Sequence, residues 1–523
     1  MNDLEYDYVI IGSGFGGSVS ALRLSEKGYK VLVIEKGKWF EAKDFPKTNW
    51  NLKKWFWKPN FGLHGIFKMT FLNHVTVLSG VGVGGGSLTY ANTLPIPKED
   101  FFKTGSWANL NSWQETLKPF YKTAHKMLGA EVNPKLFDAD LLLKDIAKDL
   151  GKEKEFEPTK VAVFFGEPGK KVKDPYFNGK GPDRKGCIHC GACMTGCRYN
   201  SKNTLDKNYL YLAQQLGAKI IAEKEVFNVE TIDDNNSSKG YKISYKSSIG
   251  RKNKASVTAK GVIFSGGVMG TIPLLLKLKE TSLKKLSNFV GKDIRTNNES
   301  LLSVTSTKDD DKDYSKGIAI GSILHTDKNS HLEPVRYAKG SSFVKLITLP
   351  TVKGKYGIFR IIGVLGVIIT KPFYVLKTLF TKKYAEKTTI LLFMQTLDST
   401  LQIKKGRFTE MKTIAKEGEK PNAFIPEAIT LSKKVGKKIK GIPFSNFTDV
   451  LLGTTTTAHI LGGSVMGADS KTGVIDKECN VFGYKNMMIC DGSMISANPG
   501  VNPSLSITAI SEYAMSKIPS KKE

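Results

Sequence analysis

The sequence predicts an α/β (α+β) fold in which a Rossmann-like dinucleotide-binding domain is joined to a second, mainly antiparallel-sheet domain. Residues from Gly12 to Gly37 have the order of a glycine-rich turn, a helix and a strand, and an apolar strand precedes them. The chain has 523 residues, which is too many for one hydrophobic core. Residues 301–440 contain runs such as GIAIGSILH and TILLFMQTLDSTLQI that are typical of strands.

The opening motif has the chemistry of a dinucleotide site. The apolar run YVII leads into Gly12, Gly14 and Gly17, which have G-x-G-x-x-G spacing, and the second run VLVI ends at Glu35. Gly12 makes the turn, Gly14 lets the backbone approach a pyrophosphate, and Gly17 lets helix and strand pack closely. The helix N-terminus offers free N–H groups to phosphates. Glu35 can accept hydrogen bonds from ribose hydroxyls and disfavours a 2′-phosphate, but the motif alone does not separate FAD from NAD.

The net charge of +29 favours anionic partners. Its lysines are spread along the chain and no nucleic-acid-binding signature is present, so we expect no nucleic acid. The charge then indicates either a basic solvated surface or attraction to an anionic membrane. The start MNDLEYDYVIIG has neither a basic n-region nor a long apolar run. We therefore expect a cytoplasmic protein that meets the inner membrane face peripherally.

A second glycine-rich segment follows, LSGVGVGGGSLTYAN, from Leu78 to Asn92. Between Gly80 and Ser87 it has almost no side chains, so its backbone must turn repeatedly or pass close to something large and flat. Together with the opening motif, this segment makes a flavin the natural candidate.

Three further motifs occur in chain order: SGGVMGT at Ser265–Thr271, AHILGGSVMG at Ala458–Gly467, and DGSMISANPGVNPSLSITAISEYA at Asp491–Ala514. With the two glycine segments, they resemble the glucose–methanol–choline (GMC) oxidoreductase family, in particular its cholesterol-oxidase-like branch. The five segments frame nearly the whole chain, whereas residues 300–440 carry no motif that we can match.

The resemblance implies an FAD-binding domain made of residues 1–100, 186–300 and 450–523. Residues 101–185 would be a helical and loop region that covers it, and residues 301–449 would be the substrate-binding domain. FAD should be bound non-covalently, because the LTYAN stretch has no matched attachment histidine. The AMP half would be held by Gly12, Gly14, Gly17 and Glu35, with the Val226 backbone at the adenine. The other cofactor-binding residues that the resemblance implies are Gly82, Gly84, Gly85, Ser87, Asn92 (close to the ring), Gly266, Asp491, Gly492 and Asn502.

Four cysteines form a compact loop in this domain with C-x2-C-x2-C-x3-C spacing: Cys187, Cys190, Cys193 and Cys197. The spacing is that of a bacterial ferredoxin cluster, except that Arg198 replaces the usual proline. One hypothesis is an iron–sulfur cluster, either with its ligand set completed by Cys197, Cys479 or Cys490 or with only three irons. Bare reduced thiols, zinc with His189 nearby, and a redox disulfide are the alternatives.

Alcohol oxidation with a flavin requires a base for the hydroxyl proton while the carbinol hydrogen faces flavin N5, and a donor for the developing alkoxide. His459 precedes Gly462 and Gly463 in a small-residue turn, and the resemblance makes it the general acid/base. Asn502, in GVNPSLSIT, is its partner, which would donate to the substrate oxygen and present its amide to the flavin edge. The histidines outside this motif and the cysteine loop are interpreted as surface or core residues.

Two further stretches, one aromatic and one apolar, each allow two interpretations of their place in the fold. Trp50–His74 is either a covering loop or an interface-seeking surface. Ile361–Ile369 is entirely apolar or glycine and is flanked by basic residues. It is either a buried lid or, with Gly357–Phe373 and the surrounding lysines, a docking element for an anionic membrane.

The leading prediction is FAD-dependent oxidation of an alcohol group on a small hydrophobic substrate, with a 3-hydroxysteroid such as cholesterol as the example, by hydride transfer to flavin. The electron acceptor is left open between oxygen and another partner. Isomerase activity is not carried over, because the glutamate that serves it in the family falls in the unmatched middle. The alternatives are a dehydrogenase of a sugar or another alcohol that passes electrons through an iron–sulfur cluster to a membrane acceptor, and a non-catalytic flavin electron carrier or redox sensor.

Overall fold

The computed structural model describes residues 4–232, 237–354, 356–406, 411–415 and 421–522. Its helices are α1 (Phe15–Glu26), α2 (Leu52–Trp55), α3 (Glu99–Lys103), α4 (Trp113–Met127), α5 (Asp138–Asp149), α6 (Tyr209–Gln215), α7 (Val268–Glu280), α8 (Gly357–Thr370), α9 (Pro372–Phe380), α10 (Tyr384–Lys387), α11 (Pro426–Ile439) and α12 (Ser504–Ser516). Its strands are β1 (Tyr6–Ile11), β2 (Val31–Ile34), β3 (Trp57–Lys58), β4 (Leu63–His64), β5 (Phe67–Phe71), β6 (Val75–Gly80), β7 (Ala130–Val132), β8 (Phe156–Pro158), β9 (Lys160–Ala162), β10 (Lys171–Val172), β11 (Arg184–Lys185), β12 (Lys219–Ile221), β13 (Lys224–Thr231), β14 (Tyr241–Ser247), β15 (Lys254–Phe264), β16 (Ile294–Arg295), β17 (Ser300–Thr305), β18 (Ser322–His325), β19 (Ser330–Val335), β20 (Thr348–Pro350), β21 (Thr388–Gln395), β22 (Thr400–Lys404), β23 (Lys412–Ile414), β24 (Pro443–Asn446), β25 (Thr455–Thr457) and β26 (Met487–Ile489).

The first large sheet contains the dinucleotide motif. Strands β12, β2, β1 and β15 are parallel in this order, β26 joins β15 in parallel, and β14 and β13 continue the sheet antiparallel. The strands β1 and β2 are mainly apolar because they are buried in the parallel part of the sheet. Its strands come from residues within the three separate segments that the resemblance implies, and the Rossmann-like prediction is confirmed.

The second large sheet is antiparallel throughout, in the order β20–β24–β17–β21–β19–β18–β8. Its strands alternate between two apolar environments, as a period of two requires. Leu302 and Phe393 pack into a core with α5 and α11, whereas Leu301 and Leu392 face a cavity. This sheet confirms the predicted second domain. One face of the sheet packs in the core, and the other face lines the cavity.

Residues 101–185, which the resemblance implies as one covering region, are divided between the two halves. In α4, Trp113, Leu117 and Tyr121 pack in the core of the first sheet. In α5, Leu143 and Ile146 pack in the core of the second sheet, and the strand β8 pairs with β18. Each helix has its own apolar face, and the two faces are buried against different sheets.

Trp50–His74 contains α2, β3, β4 and β5. The buried Trp55 stacks on Phe67 with ring centroids 5.0 Å apart. Phe56 and Phe67 line the cavity. The segment therefore covers the cavity.

Among the described residues, no single helix is long and apolar enough to cross a membrane. α8 and α9 reach that length and composition only as a pair, and they are bent by 94° at the break between them. Within α8, Arg360 and Val364 are buried, but most of its apolar side chains are exposed. The buried-lid interpretation of Ile361–Ile369 is therefore wrong.

Candidate active site

A cavity of about 440 Å³ is lined by residues of both halves of the molecule. On one side it reaches the carboxyl ends of β1, β2 and β15, where an open α/β sheet binds its ligands. On the other side Leu301, Val335, Ile390 and Leu392 form an apolar floor. The first side is therefore placed for a dinucleotide and the second for an apolar substrate.

The first glycine turn has the tight turn and the close packing that the motif predicts. Gly12 has a φ of +102°, and a Cβ atom there would lie 2.4 Å from the Ser265 carbonyl oxygen. A Cβ atom at Gly17 would lie 2.2 Å from the Gly12 carbonyl oxygen, so helix and strand need glycine to pack. At Gly14 the nearest described atom to a Cβ is 3.9 Å away, and this residue lines the cavity. The backbone at Gly14 is thus open to a ligand.

Glu35 lies at the end of β2, is buried and lines the cavity. Its Oε2 accepts hydrogen bonds from the Ser13 amide at 3.0 Å and from the Ser13 hydroxyl at 2.8 Å, and its Oε1 accepts from the Gly37 amide at 2.8 Å. A carboxylate has about four acceptor sites, so one remains for a ribose hydroxyl. Glu35 therefore also fixes the glycine turn, a role that the motif does not show.

The second glycine segment touches the first. A Cβ atom at Gly85 would lie 2.7 Å from the Gly14 Cα, and Gly85 lines the cavity. The amide of Gly84 donates to the Ser13 hydroxyl at 3.1 Å, and the Ser87 hydroxyl donates to the Gly84 carbonyl at 2.7 Å.

Four predicted cofactor-binding residues, Gly82, Gly84, Ser87 and Asn92, lie outside the cavity lining, and their contacts with the cofactor stay predictions. Gly82, Gly84 and Ser87 shape the turn behind the cavity, because their polar atoms are used within the turn and by its neighbours; the buried Ser87 hydroxyl also accepts from the Leu205 amide at 3.1 Å. Asn92 was expected close to the ring. Asn92 is fully buried, and neither polar atom of its side chain has a hydrogen-bond partner among the described residues, while its neighbours Ala91 and Thr93 line the cavity.

Gly266, Asp491 and Gly492 all line the cavity, as does Val226 of β13. The buried Asp491 carboxylate accepts from the Gly267 amide at 2.9 Å and from the Thr271 hydroxyl at 2.5 Å, which joins its segment to the start of α7. Burial raises the pKa of Asp491, and its hydrogen bonds oppose the rise. The two turns therefore form one rigid wall.

His459 lines the cavity just after β25, and a buried carboxylate holds its ring. Its Nδ1 lies 2.6 Å from Glu299 Oε2, and Glu299 Oε1 accepts from the Ala458 amide at 2.6 Å. Because a carboxylate accepts, Nδ1 carries the proton of a neutral ring and Nε2 keeps the lone pair. The pair thus has the geometry that the predicted role of His459 as a base requires, and the role itself stays a prediction.

Glu299 is a site residue that the sequence analysis missed. It follows Asn297 and Asn298, whose φ angles are +61° and +41°, and asparagine is among the few residues that adopt this conformation readily. Asn297 Nδ2 donates to the Val501 carbonyl at 3.0 Å, and Asn298 Nδ2 donates to Gln395 at 2.8 Å. The asparagine pair before a glutamate was the available signal, but it indicates a turn and not the partner of that turn.

Asn502 lines the cavity, and its Oδ1 has no hydrogen-bond partner among the described residues. Its amide lies next to the fully buried Glu333. Burial raises the pKa of Glu333 to about 8, against the opposing effect of Asn502. His331, interpreted as surface or core, is buried with Nε2 3.6 Å from Glu333 Oε1, and burial lowers its pKa to about 3. At neutral pH, neutral groups therefore stand behind Asn502.

The cysteine loop is not built as a metal site. Across the described residues, no group of three or more His, Cys, Asp or Glu side chains is placed to hold a metal ion. Burial raises the pKa of the Cys187, Cys190 and Cys193 thiols, that of Cys190 to about 11. The iron–sulfur hypothesis for Cys187, Cys190, Cys193 and Cys197 is thus not supported.

The loop instead packs against the second glycine segment through a buried lysine. Lys202 Nζ donates to the carbonyls of Leu88 at 3.0 Å, Tyr90 at 2.9 Å and Cys193 at 2.8 Å. Burial lowers the pKa of Lys202 to about 7. The cysteine loop therefore supports the backbone that faces the cavity.

The cavity walls fit FAD. Among the described residues, α1 has no side-chain hydrogen bond at its N-cap Gly14 and no acid in its first turn, so its N–H groups are available to phosphates. Gly85 and Gly86 leave the adjoining wall without side chains. The start of α1 would hold the pyrophosphate, Glu35 and Val226 the adenosine end, and the second glycine segment and Asn502 the ring system.

A dinucleotide wall, a histidine base and an apolar floor in one cavity define a dinucleotide-dependent alcohol oxidoreductase. Comparison with known proteins agrees. GMC oxidoreductase family models match residues 180–293 and 415–511, and an NAD(P)-binding Rossmann-like domain model matches residues 10–39.

A cholesterol oxidase of Acinetobacter baumannii is 44% identical over 532 residues, which cover 100% of this chain and 96% of the relative. A cholesterol oxidase of Mycobacterium tuberculosis (strain ATCC 25618 / H37Rv) is 41% identical over 534 residues, with 99% and 92% covered. A solved formate oxidase shares the fold, with a TM-score of 0.62, 13% identity and 98% and 97% of the two chains covered. The chain belongs to the GMC oxidoreductase family, in its cholesterol-oxidase-like branch, and is an FAD-dependent alcohol oxidoreductase.

Proposed function

We propose that the chain oxidises the hydroxyl group of a steroid-like alcohol, with a 3-hydroxysteroid such as cholesterol as the type of substrate. The observation that supports this best is the His459–Glu299 pair at a chamber whose floor consists of apolar strand residues. The two bacterial relatives at 44% and 41% identity are both named cholesterol oxidase, which supports the steroid class.

In this reaction His459 Nε2 takes the hydroxyl proton, because Glu299 holds Nδ1 and leaves Nε2 as the base. The Glu299 carboxylate stabilises the imidazolium that forms. Asn502 lines the same cavity and holds the same substrate oxygen through its side-chain amide. FAD, when bound, supplies the two-electron acceptor for the carbinol hydride. Leu301, Ile390 and Leu392 exclude water and orient the apolar body of the substrate.

Anaerobic bleaching of the purified flavoprotein with matched panels of sterols, sugars and aliphatic alcohols tests the proposal. We expect sterols to bleach the flavin fastest, because sugars cannot satisfy their hydroxyls on an apolar floor. Bleaching by a sugar but by no sterol would contradict the substrate class. Absence of bleaching by any alcohol would indicate an electron carrier.

We also propose that molecular oxygen is the electron acceptor, which the printed names of the two relatives support. One hydrogen peroxide should then form for each ketone produced in air. Turnover that depends on a quinone or a dye, without peroxide, would indicate a dehydrogenase.

We further propose a cytoplasmic location with peripheral contact to the membrane. The six cysteines are all free, which fits a reducing compartment, and the net charge of +29 favours anionic surfaces. Cell fractionation should recover the protein partly with membranes, and a high-salt wash should release it. Recovery in the soluble fraction alone at low salt would contradict membrane contact.

A further inference from the structure

The strongest feature outside the active site is an apolar ridge, defined here as residues 357–380 with helices α8 and α9. Its outward side chains are large and well exposed, for example Phe359 at 58%, Ile362 at 57%, Ile369 at 77%, Phe373 at 59% and Phe380 at 75%. A contiguous apolar surface of this kind marks an interaction site.

The ridge is fixed on the second domain by specific contacts, so its apolar side chains are held in their exposed positions. Arg360 is buried under α8 and donates to the carbonyls of Val450 at 2.6 Å, Gly354 at 2.8 Å and Leu451 at 3.1 Å. Val364 packs in the same cluster. These contacts fix the inner face of α8 and turn its other apolar side chains outward.

The charge around the ridge selects an anionic partner. From Pro334 to Ala385 the sequence has no Asp or Glu. Exposed lysines stand beside the ridge at Lys353, Lys371, Lys382 and Lys383. Apolar helices with basic flanks have the composition of elements that lie in the headgroup layer of a bilayer. The 14 residues of α8 span about 21 Å, less than the roughly 30 Å of a hydrocarbon core, and the 94° bend keeps the helices from forming one rod.

The short turn Phe343–Ile347 lies between the ridge and the cavity. Lys345 Nζ donates to the Thr381 carbonyl just after α9 at 3.2 Å. In this turn Leu346 is 60% exposed, whereas Val344 and Ile347 line the cavity. The turn therefore joins the outer apolar surface to the inner apolar chamber.

We propose that the apolar ridge docks on an anionic phospholipid bilayer and that the turn Phe343–Ile347 is the port through which a membrane-dissolved alcohol enters the cavity. Docking does not depend on the substrate, whereas the port rests on the proposed function. A sterol taken up here passes from hydrocarbon to an apolar chamber without exposure to bulk water.

Vesicle flotation tests docking. The holoenzyme should float with vesicles of phosphatidylcholine mixed with phosphatidylglycerol, and less with phosphatidylcholine alone, because lysine attraction needs anionic lipid. The double variant Ile362→Asp/Phe373→Asp should lose at least about tenfold in vesicle affinity, since two large apolar side chains can no longer insert. The control Val132→Asp/Leu216→Asp, at exposed apolar positions elsewhere (56% and 52%), should float like the wild type. FAD content and melting temperature verify that both variants fold.

Equal flotation of the wild type and the ridge variant would overturn docking. A second result would also overturn docking: the wild type is a dimer, the ridge variant is a monomer, and neither protein floats. The ridge would then bind a second copy of the chain.

Trp50 tests the port, since its indole donates to Ser342 at 2.7 Å and packs against Phe343 with centroids 5.8 Å apart. Brominated phospholipids should quench part of the wild-type tryptophan emission, and Trp50→Phe should remove that part without changing flotation. Unchanged quenching in Trp50→Phe would contradict a port at this turn.

Turnover gives the second test of the port. The ridge variant should oxidise a sterol in vesicles at least about tenfold more slowly than the wild type, in line with its lost affinity, but a cyclodextrin-solubilised sterol at a similar rate. Equal losses with both presentations would overturn the port. A protein that floats but bleaches with no sterol would contradict the proposed substrate and leave docking standing.

Discussion

The cofactor side and the substrate side of the cavity are held together in different ways. On the cofactor side, backbone meets backbone: added Cβ atoms at Gly12, Gly17 and Gly85 would lie within 3 Å of main-chain atoms. On the substrate side, side chain meets side chain, as in the contact of His459 with Glu299. Substitutions on the first side should therefore affect cofactor retention and folding, whereas those on the second should affect rate and pH dependence with FAD still bound.

The largest effect is expected for Gly12→Ala. The new methyl group would clash with the Ser265 carbonyl, and alanine disfavours a φ of +102°. We expect the free energy of unfolding to fall by about 2–5 kcal/mol. We also expect the variant to lose almost all of its bound FAD. Thermal unfolding of the apoprotein and the flavin released by denaturing precipitation measure the two losses.

Gly14→Ala is the matched control for this clash. Its methyl group has room in the protein but projects toward the cavity. We expect near wild-type unfolding with weaker FAD binding. Equal stability of the two variants would contradict the difference between the two glycines.

On the substrate side, His459→Gln should leave FAD bound and slow flavin reduction by about 10²–10⁴. Glutamine keeps some hydrogen bonding but cannot act as a base near neutral pH. Anaerobic stopped-flow bleaching measures the rate, with His64→Gln as a control outside the cavity lining. Asn502→Leu should also slow reduction, and the double variant should lose less than the product of the two factors, because both groups act on one oxygen. A wild-type rate in His459→Gln would place the base elsewhere.

Glu299→Gln should have a smaller effect, about 10–10²-fold, because it removes the orienting carboxylate and leaves the imidazole. Anaerobic stopped-flow bleaching measures the rate, and the flavin content verifies that FAD stays bound. Glu299→Asp keeps a carboxylate and should recover part of the lost rate. A wild-type rate in Glu299→Gln would contradict an orienting role for Glu299.

The same difference between the two sides explains what the sequence could predict. The glycine motif specifies backbone conformation within a few residues, and the structure confirms the roles of Gly12 and Gly17. Ser87 and Asn92 were placed by family resemblance, which transfers residue identity but not the direction of a side chain. The catalytic roles of His459 and Asn502 stay predictions, and the structure does place both at the cavity.

Long-range partners could not be predicted. Glu299 is 160 residues from His459 in the chain, and Glu333 of β19 contacts Asn502 in the loop before α12, so no local pattern connects either pair. The apolar run in α8 was recognised, but nine apolar or glycine residues fit a buried lid and an exposed ridge equally well. Only the packing of Arg360 and Val364 shows which face is turned inward.

The last prediction concerns Glu333 and the dependence of stability on pH. Its pKa is about 8 in the folded protein and near the ordinary 4.5 when unfolded, so the folded state binds the proton more tightly. Between about pH 4.5 and pH 8 the unfolded chain has lost this proton while the folded protein keeps it. The free energy of unfolding should therefore fall as pH rises through this range. Glu333→Gln keeps the shape and removes the titration, so its melting temperature should gain on the wild type from pH 5.5 to 8.5, measured side by side in matched ionic strength. Glu153→Gln, at an exposed carboxylate, should show no such gain. A constant difference between Glu333→Gln and the wild type across this range would mean that Glu333 is ionised in the folded protein, and that a charge rather than a neutral acid stands behind Asn502.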